Sequence, residues 1–176
     1  MKEFAQKYSS NIEHMFKSPN FTKENFIYEQ KAVLVDITQL REHESVDLSY
    51  LGKLKEEIIK DGFLRKAISV DVNSMVVLDG HHRLNALREL GCNKIPVIFV
   101  DYRSPDIVVK KWTVENDVTL DDVIFTKEHI VNIALSGKRL PVKTSKHLIM
   151  LEGKLLHISA IEIDVKEPLN NLKRSG

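Results

Sequence analysis

The chain holds a single cysteine, Cys92, so neither an intramolecular disulfide nor a cysteine-rich metal site can form. A lone thiol of this kind implies a reducing compartment. Long hydrophobic runs are also missing, and no stretch approaches the about 18 uninterrupted apolar residues of a membrane span. The opening Met1-Lys2-Glu3-Phe4 has no apolar segment leading to a small-residue cleavage site, so the expectation is a cytoplasmic protein without a membrane. Excess charge is lacking too. The 26 Lys and Arg against 25 Asp and Glu leave +1, without the whole-protein field of a dedicated nucleic-acid binder. Neither internal repeats nor low-complexity segments are found.

What remains is a sequence of 176 residues, 43% hydrophobic and 29% charged, which is enough for one domain with a real core. Residues 1–30 read as an extension whose residues 5–17 suit a helix stopped at Ser18-Pro19-Asn20. The domain spans 31–170, and 171–176 form a tail, with frayed structure expected from Asn170 onward. Lys31 to Ile37, rich in β-branched residues, predicts a strand. Asp47 then stands where a helix N-cap belongs, ahead of Leu48, Leu51, Leu54, Ile58 and Ile59, and Asp61-Gly62 closes that helix. Two strand-like runs, Ala67 to Val72 and Met75 to Leu78, flank a turn at Asn73-Ser74.

A short helix follows, with Leu84, Leu87 and Leu90 on its apolar side and Gly91 as its stop; Ile95 to Asp101 and Ile107 to Val114 predict further strands. Helices are expected over 119–125 and 126–135. Leu140 to His147 reads as a polar loop, and the runs 148–151 and 155–165 as a hairpin. The pattern is α/β, mixed α+β, with a small mixed sheet and flanking helices.

Chemistry concentrates at Asp79-Gly80-His81-His82-Arg83, where a strand meets a helix start. Peptide N–H groups and the helix dipole favour an anion there. Adjacent histidines point about 100° apart on a helix and do not readily share one metal ion. Phosphate suits the cluster better: Arg83 forks onto oxygens, an imidazole donates, and Asp79 holds a hydrated Mg²⁺ or simply caps the helix. Lys143-Thr144-Ser145-Lys146-His147 is either a binder of carboxylate or phosphate or a solvated charged turn. Trp112, the only tryptophan, is either core or the wall of a pocket, and Cys92 is a small buried side chain.

These segments together resemble the ParB and sulfiredoxin superfamily, and within it the archaeal free serine kinases. The likeness runs over about residues 31–165, through His43-Glu44, the Leu78 to Arg83 signature with Gly91, Ile95-Pro96-Val97, Val100-Asp101-Tyr102, Trp112, Ser136-Gly137-Lys138 and Pro141 to His147. It implies a nucleotide-binding fold and transfer of a phosphoryl group from ATP, or ADP, to the hydroxyl of L-serine, with Mg²⁺.

The resemblance also implies roles. Glu44 is the base, and Asp79 and His82 take part in catalysis, Asp79 as metal ligand. Gly80, His81, His82 and Arg83 bind phosphate, while His43, Trp112, Lys143, Thr144, Ser145 and His147 hold serine. A monomer or homodimer without nucleic acid is expected. Sulfiredoxins carry a catalytic cysteine where this chain has His81, which argues against reductase chemistry. ParB proteins carry DNA-binding helices that the remaining chain does not suggest, although a ParB-like nucleotide-dependent DNA-binding or switch module is the alternative.

Overall fold

Strand β3 (Ile68–Asp71) is buried along its whole length, so it needs a neighbour on either edge and cover on both faces. It has them. Strand β5 (Lys94–Val100) lies parallel on one edge, β4 (Val77–Asp79) antiparallel on the other, and β1 (Val33–Asp36) pairs with the outer edge of β5. The mixed four-stranded sheet therefore runs β1-β5-β3-β4. The computed structural model describes residues 31–112 and 126–173. The expected helices at 5–17 and 119–125 lie outside these residues.

Two apolar layers sandwich that sheet. Along β5, Ile95, Val97 and Phe99 enter one layer, and Ile98 and Val100 enter the other, as the two-residue period of a strand requires. The first layer is closed by helix α1 (Leu48–Asp61) through Leu51 and Ile58, and by α2 (His81–Glu89) through Leu84 and Leu87. Asp47 caps α1 by accepting from the Tyr50 amide at 2.9 Å, and Gly62 ends it in the left-handed region at φ 75°. The second layer is closed by helix α3 (Lys127–Leu135), capped by Thr126, and by a three-stranded sheet. That sheet joins β6 (Ile107–Lys111), β7 (Ser145–Leu151) and β8 (Lys154–His157).

Three expectations change. The run 155–165 is not one hairpin strand: β8 ends at His157, and a 3₁₀ turn over Ile158–Ile161 buries both isoleucines. Strand β9 (Asp164–Pro168) then leaves to pair with β2 (Phe63–Lys66), a short half-polar strand that carries little periodic signal. Nor does the chain fray at 170. Helix α4 (Leu169–Leu172) sinks Leu172 completely, and the Leu172 carbonyl accepts from the Asn93 amide at 2.8 Å. Finally, the polar loop stops at Thr144, so Ser145 and His147 belong to β7. Cys92 is buried, as expected. Among the described residues, no helix is long and apolar enough to cross a membrane.

Candidate active site

A cleft of about 1060 Å³ opens between α1, the start of α2, β2, β9 and the turn before β7. Its floor is the β4–α2 junction, and Gly80 makes that junction possible. Gly80 sits at φ 100°, and a Cβ there would come within 2.3 Å of Ile68 Cγ2, on a strand with no room to retreat. The first helical bond of α2 runs from the Leu84 amide to the Gly80 carbonyl at 3.0 Å. The amides of His81, His82 and Arg83 thus precede the helical ladder, at residues that line the cleft.

Arg83 does not reach out as a phosphate fork. Its Nη1 donates to Glu162 Oε2 at 2.8 Å and to the Ala67 carbonyl, while Nη2 donates to Asp79 Oδ2 at 2.7 Å and Glu162 Oε1 at 2.8 Å. Both terminal nitrogens are committed, so the guanidinium braces the floor from within. Glu162 was not singled out from the sequence; its only signal is an acid interrupting the apolar stretch from Ile158 to Val165. Burial pushes its carboxyl up to about 7 against the pull of Arg83. Asp79 lines the cleft with one oxygen tied to Arg83.

On the facing wall the turn before β7 wraps around Glu44. Glu44 Oε1 accepts from the Lys143 amide at 2.8 Å, and Oε2 accepts from the Ser145 amide at 3.0 Å and the Ser145 hydroxyl at 2.8 Å. Lys143 takes a left-handed φ of 56° to deliver its amide. A parallel bridge between Glu44 and Leu140 fixes the two segments side by side. His82 accepts from the Asp47 amide at 2.9 Å through Nε2, and its ring meets Tyr50 edge-on at 4.9 Å. That acceptor role leaves the imidazole neutral, and partial burial lowers its pKa despite nearby Asp47, Glu44 and Asp79. Trp112 lines the same cleft, stacked by Lys146 at 4.9 Å and edge-on to His157 at 6.4 Å.

Other expected ligands lie elsewhere. Thr144 turns back to donate to the Pro141 carbonyl at 2.6 Å. The rings of His43, His81 and His147 form a buried set, with centroids 4.6 Å apart for His43–His81 and 5.2 Å for His43–His147, and of the three residues His81 also lines the cleft. His147 Nε2 pairs with the Tyr102 hydroxyl at 2.9 Å, and His43 Nε2 with the Ser145 hydroxyl at 2.9 Å. His81 Nε2 has no hydrogen-bond partner among the described residues. Their closeness is invisible in the sequence, where they stand in three unrelated segments.

Burial pushes His43 down to about 4 and lowers His81 and His147 far below the ordinary imidazole value. An unfolded chain protonates these rings near pH 6.5, whereas the folded chain resists, His43 until near pH 4, so stability is full above pH 6.5 and drains away as the pH falls below it. His43 alone accounts for roughly 3 kcal/mol at 1.36 kcal/mol per pKa unit. Glu162 acts in the opposite sense, favouring the fold as it protonates below about 7. With three imidazoles against one carboxyl, the melting temperature should fall steadily between about pH 6.5 and pH 4. A flat profile would mean that the rings are not held neutral.

The fold is a mixed α/β one. It superposes on a glutamate-to-glutamine variant of a free serine kinase in complex with AMP, with a TM-score of 0.66 and 14% identity over 89% of this chain and 98% of that chain. By sequence the chain is similar to a ParB-like protein of Sulfolobus acidocaldarius, 49% identical over 74 residues, which are 42% of this chain and 37% of that protein. It is also similar to an ATP-dependent L-serine kinase of Staphylothermus marinus, 36% identical over 84 residues, 46% of this chain and 33% of that protein. The chain thus spans about a third of the length of these curated relatives. No protein-family model matches it.

Proposed function

We propose that this protein phosphorylates free L-serine to O-phosphoserine, using ATP or ADP as donor. The observation that carries the reading is a single cleft with a helix start on its floor, where peptide amides favour an anion, and an oriented carboxylate, Glu44, on its wall. Phosphoryl transfer asks for in-line placement and charge neutralisation more than for covalent participation by the protein. The names of the relatives, L-serine kinases among them, support serine as acceptor.

Glu44 would take the proton from the serine hydroxyl as its oxygen bonds to the terminal phosphorus of the donor. The bond from that phosphorus to the bridging oxygen breaks, and ADP leaves if the donor is ATP, or AMP if it is ADP. The amides after Gly80 and the Lys143 ammonium would offset charge on the transferred and leaving groups. Trp112 and Lys143 would bound the acceptor end. His82, neutral and tied to Asp47, would orient the α1 start against the phosphates.

Among the described residues no three His, Cys, Asp or Glu side chains gather as a metal cage. That suits Mg²⁺, which is commonly held by one or two carboxylates together with nucleotide phosphates and water. Asp79 would be its protein ligand, braced by Arg83, and the ion when bound supplies neutralising charge to the phosphates. No nucleic acid or membrane is required, and a monomer or homodimer would suffice.

The test is nucleotide consumption with and without L-serine. Consumption that rises with serine supports the kinase. Binding of nucleotide with no serine-dependent consumption would favour the second reading, a nucleotide-operated ParB-like module, for which the similarity to the Sulfolobus protein speaks.

A further inference from the structure

Ser145 stands between two groups that do not touch the cleft in the same way. Its hydroxyl lies 2.8 Å from Glu44 Oε2 on one side and 2.9 Å from His43 Nε2 on the other. An ionised carboxylate only accepts, so the single hydroxyl proton of Ser145 points to Glu44, and the Nε2–H of His43 donates to the Ser145 oxygen. His43 is fully buried and packed near-perpendicular to the rings of His81 and His147. The donor thus comes from a side chain packed on all sides, and the hydroxyl it orients has no second proton to offer a substrate.

We propose that Ser145, backed by His43, is a positioning residue for Glu44: the chain of hydrogen bonds holds the carboxylate so that its remaining lone pairs face the acceptor. The sequence suggested that both residues hold serine. The geometry gives them a different task, one step behind the reacting atoms. The proposal rests on the reading of Glu44 as the base.

Around Glu44 the charged and titratable groups are Lys143, whose amide it accepts from, and His82, which its charge reaches together with that of Asp47 and Asp79, with His43 behind Ser145. A substitution at Ser145 leaves all of them in place, so a change in the pH profile can be assigned to the lost hydroxyl. Removing one of the three donors to a carboxylate leaves it more basic.

The experiment is steady-state kinetics of Ser145→Ala, Ser145→Cys and Ser145→Thr against the parent across the pH range, with Glu44→Gln run alongside. Ser145→Ala is expected to lower kcat about tenfold, to leave KM for L-serine within about twofold, and to move the acidic limb of kcat upward by about half a pH unit or more. Ser145→Cys keeps the bulk with a weak donor and should behave as the alanine variant does, even if alanine fails to fold. Ser145→Thr, which keeps the hydroxyl, should return both quantities toward the parent. A raised KM with kcat and the acidic limb unchanged would overturn the proposal, since the hydroxyl would then bind the acceptor directly. Full activity of Glu44→Gln would instead overturn the reading beneath it.

Discussion

Glu44→Gln is expected to lower kcat for serine phosphorylation by about 10²–10⁴-fold, the range that a positioned general base supplies. The substitution keeps shape and size. Its one oxygen still accepts from the β7 side, but its amide nitrogen turns a donor toward a neighbour that also donates: the Lys143 amide if the nitrogen replaces Oε1, or the Ser145 amide if it replaces Oε2. Some local loosening of the 141–145 turn follows, so the check must separate chemistry from folding. Nucleotide affinity provides that separation, because in the proposed arrangement the phosphates sit at the α2 start, across the cleft from Glu44. A dissociation constant within about threefold of the parent, about 0.7 kcal/mol, together with the loss of kcat would locate the defect at proton transfer. If kcat survives unchanged, Glu44 is not the base.

The second large effect is expected at Gly80. A methyl group there collides with Ile68 Cγ2 at 2.3 Å and Cβ at 2.7 Å, and crowds Arg83 Nη2 at 3.1 Å. Ile68 is fully buried in the central strand, so neither side yields cheaply. Overpacking of this kind costs about 1–3 kcal/mol, and the left-handed backbone adds about 1–2 kcal/mol for a residue with a side chain. Gly80→Ala should therefore lower the melting temperature by roughly 10 °C, at about 2–4 °C per kcal/mol for a chain of this size.

Gly80→Ala should also weaken nucleotide binding by about a hundredfold or more, since the strain falls on the amides proposed to receive phosphate. Gly137 is the control. It too has a left-handed φ, 73°, but nothing lies within 4 Å of its added Cβ, so Gly137→Ala carries only the backbone cost. Equal losses in the two variants would show that the contact with Ile68 is not what matters.

The local features of the fold were legible because each has a local cause. Asp47 and Gly62 bound α1 through capping chemistry that any reader of the sequence can see, and Thr126 does the same for α3. The alternation of β5 and the glycine between β4 and α2 were equally open. What stayed hidden depends on partners far along the chain. The pairing of β2 with β9 joins short strands separated by about a hundred residues, neither with a strong period. Glu162 lies 79 positions from Arg83, and nothing near either residue announces the other.

The same limit shaped the site. Glu44, Asp79, Gly80, His82, Lys143 and Trp112 line one cleft, as a shared site requires. His147 was grouped with the loop because it follows Lys143 closely, yet strand alternation from Ser145 carries it into the core beside Tyr102. Arg83 looked like a phosphate ligand because its type and place suit one. A buried acid from β9's approach claims it instead.

The most direct measurement of the central claim is product identity. The purified protein, incubated with Mg²⁺ and L-serine and either ATP or ADP, should yield O-phosphoserine by mass spectrometry with at least one donor, in amounts equal to the nucleotide consumed. Absence of O-phosphoserine with both donors, from folded protein that binds nucleotide, would contradict it.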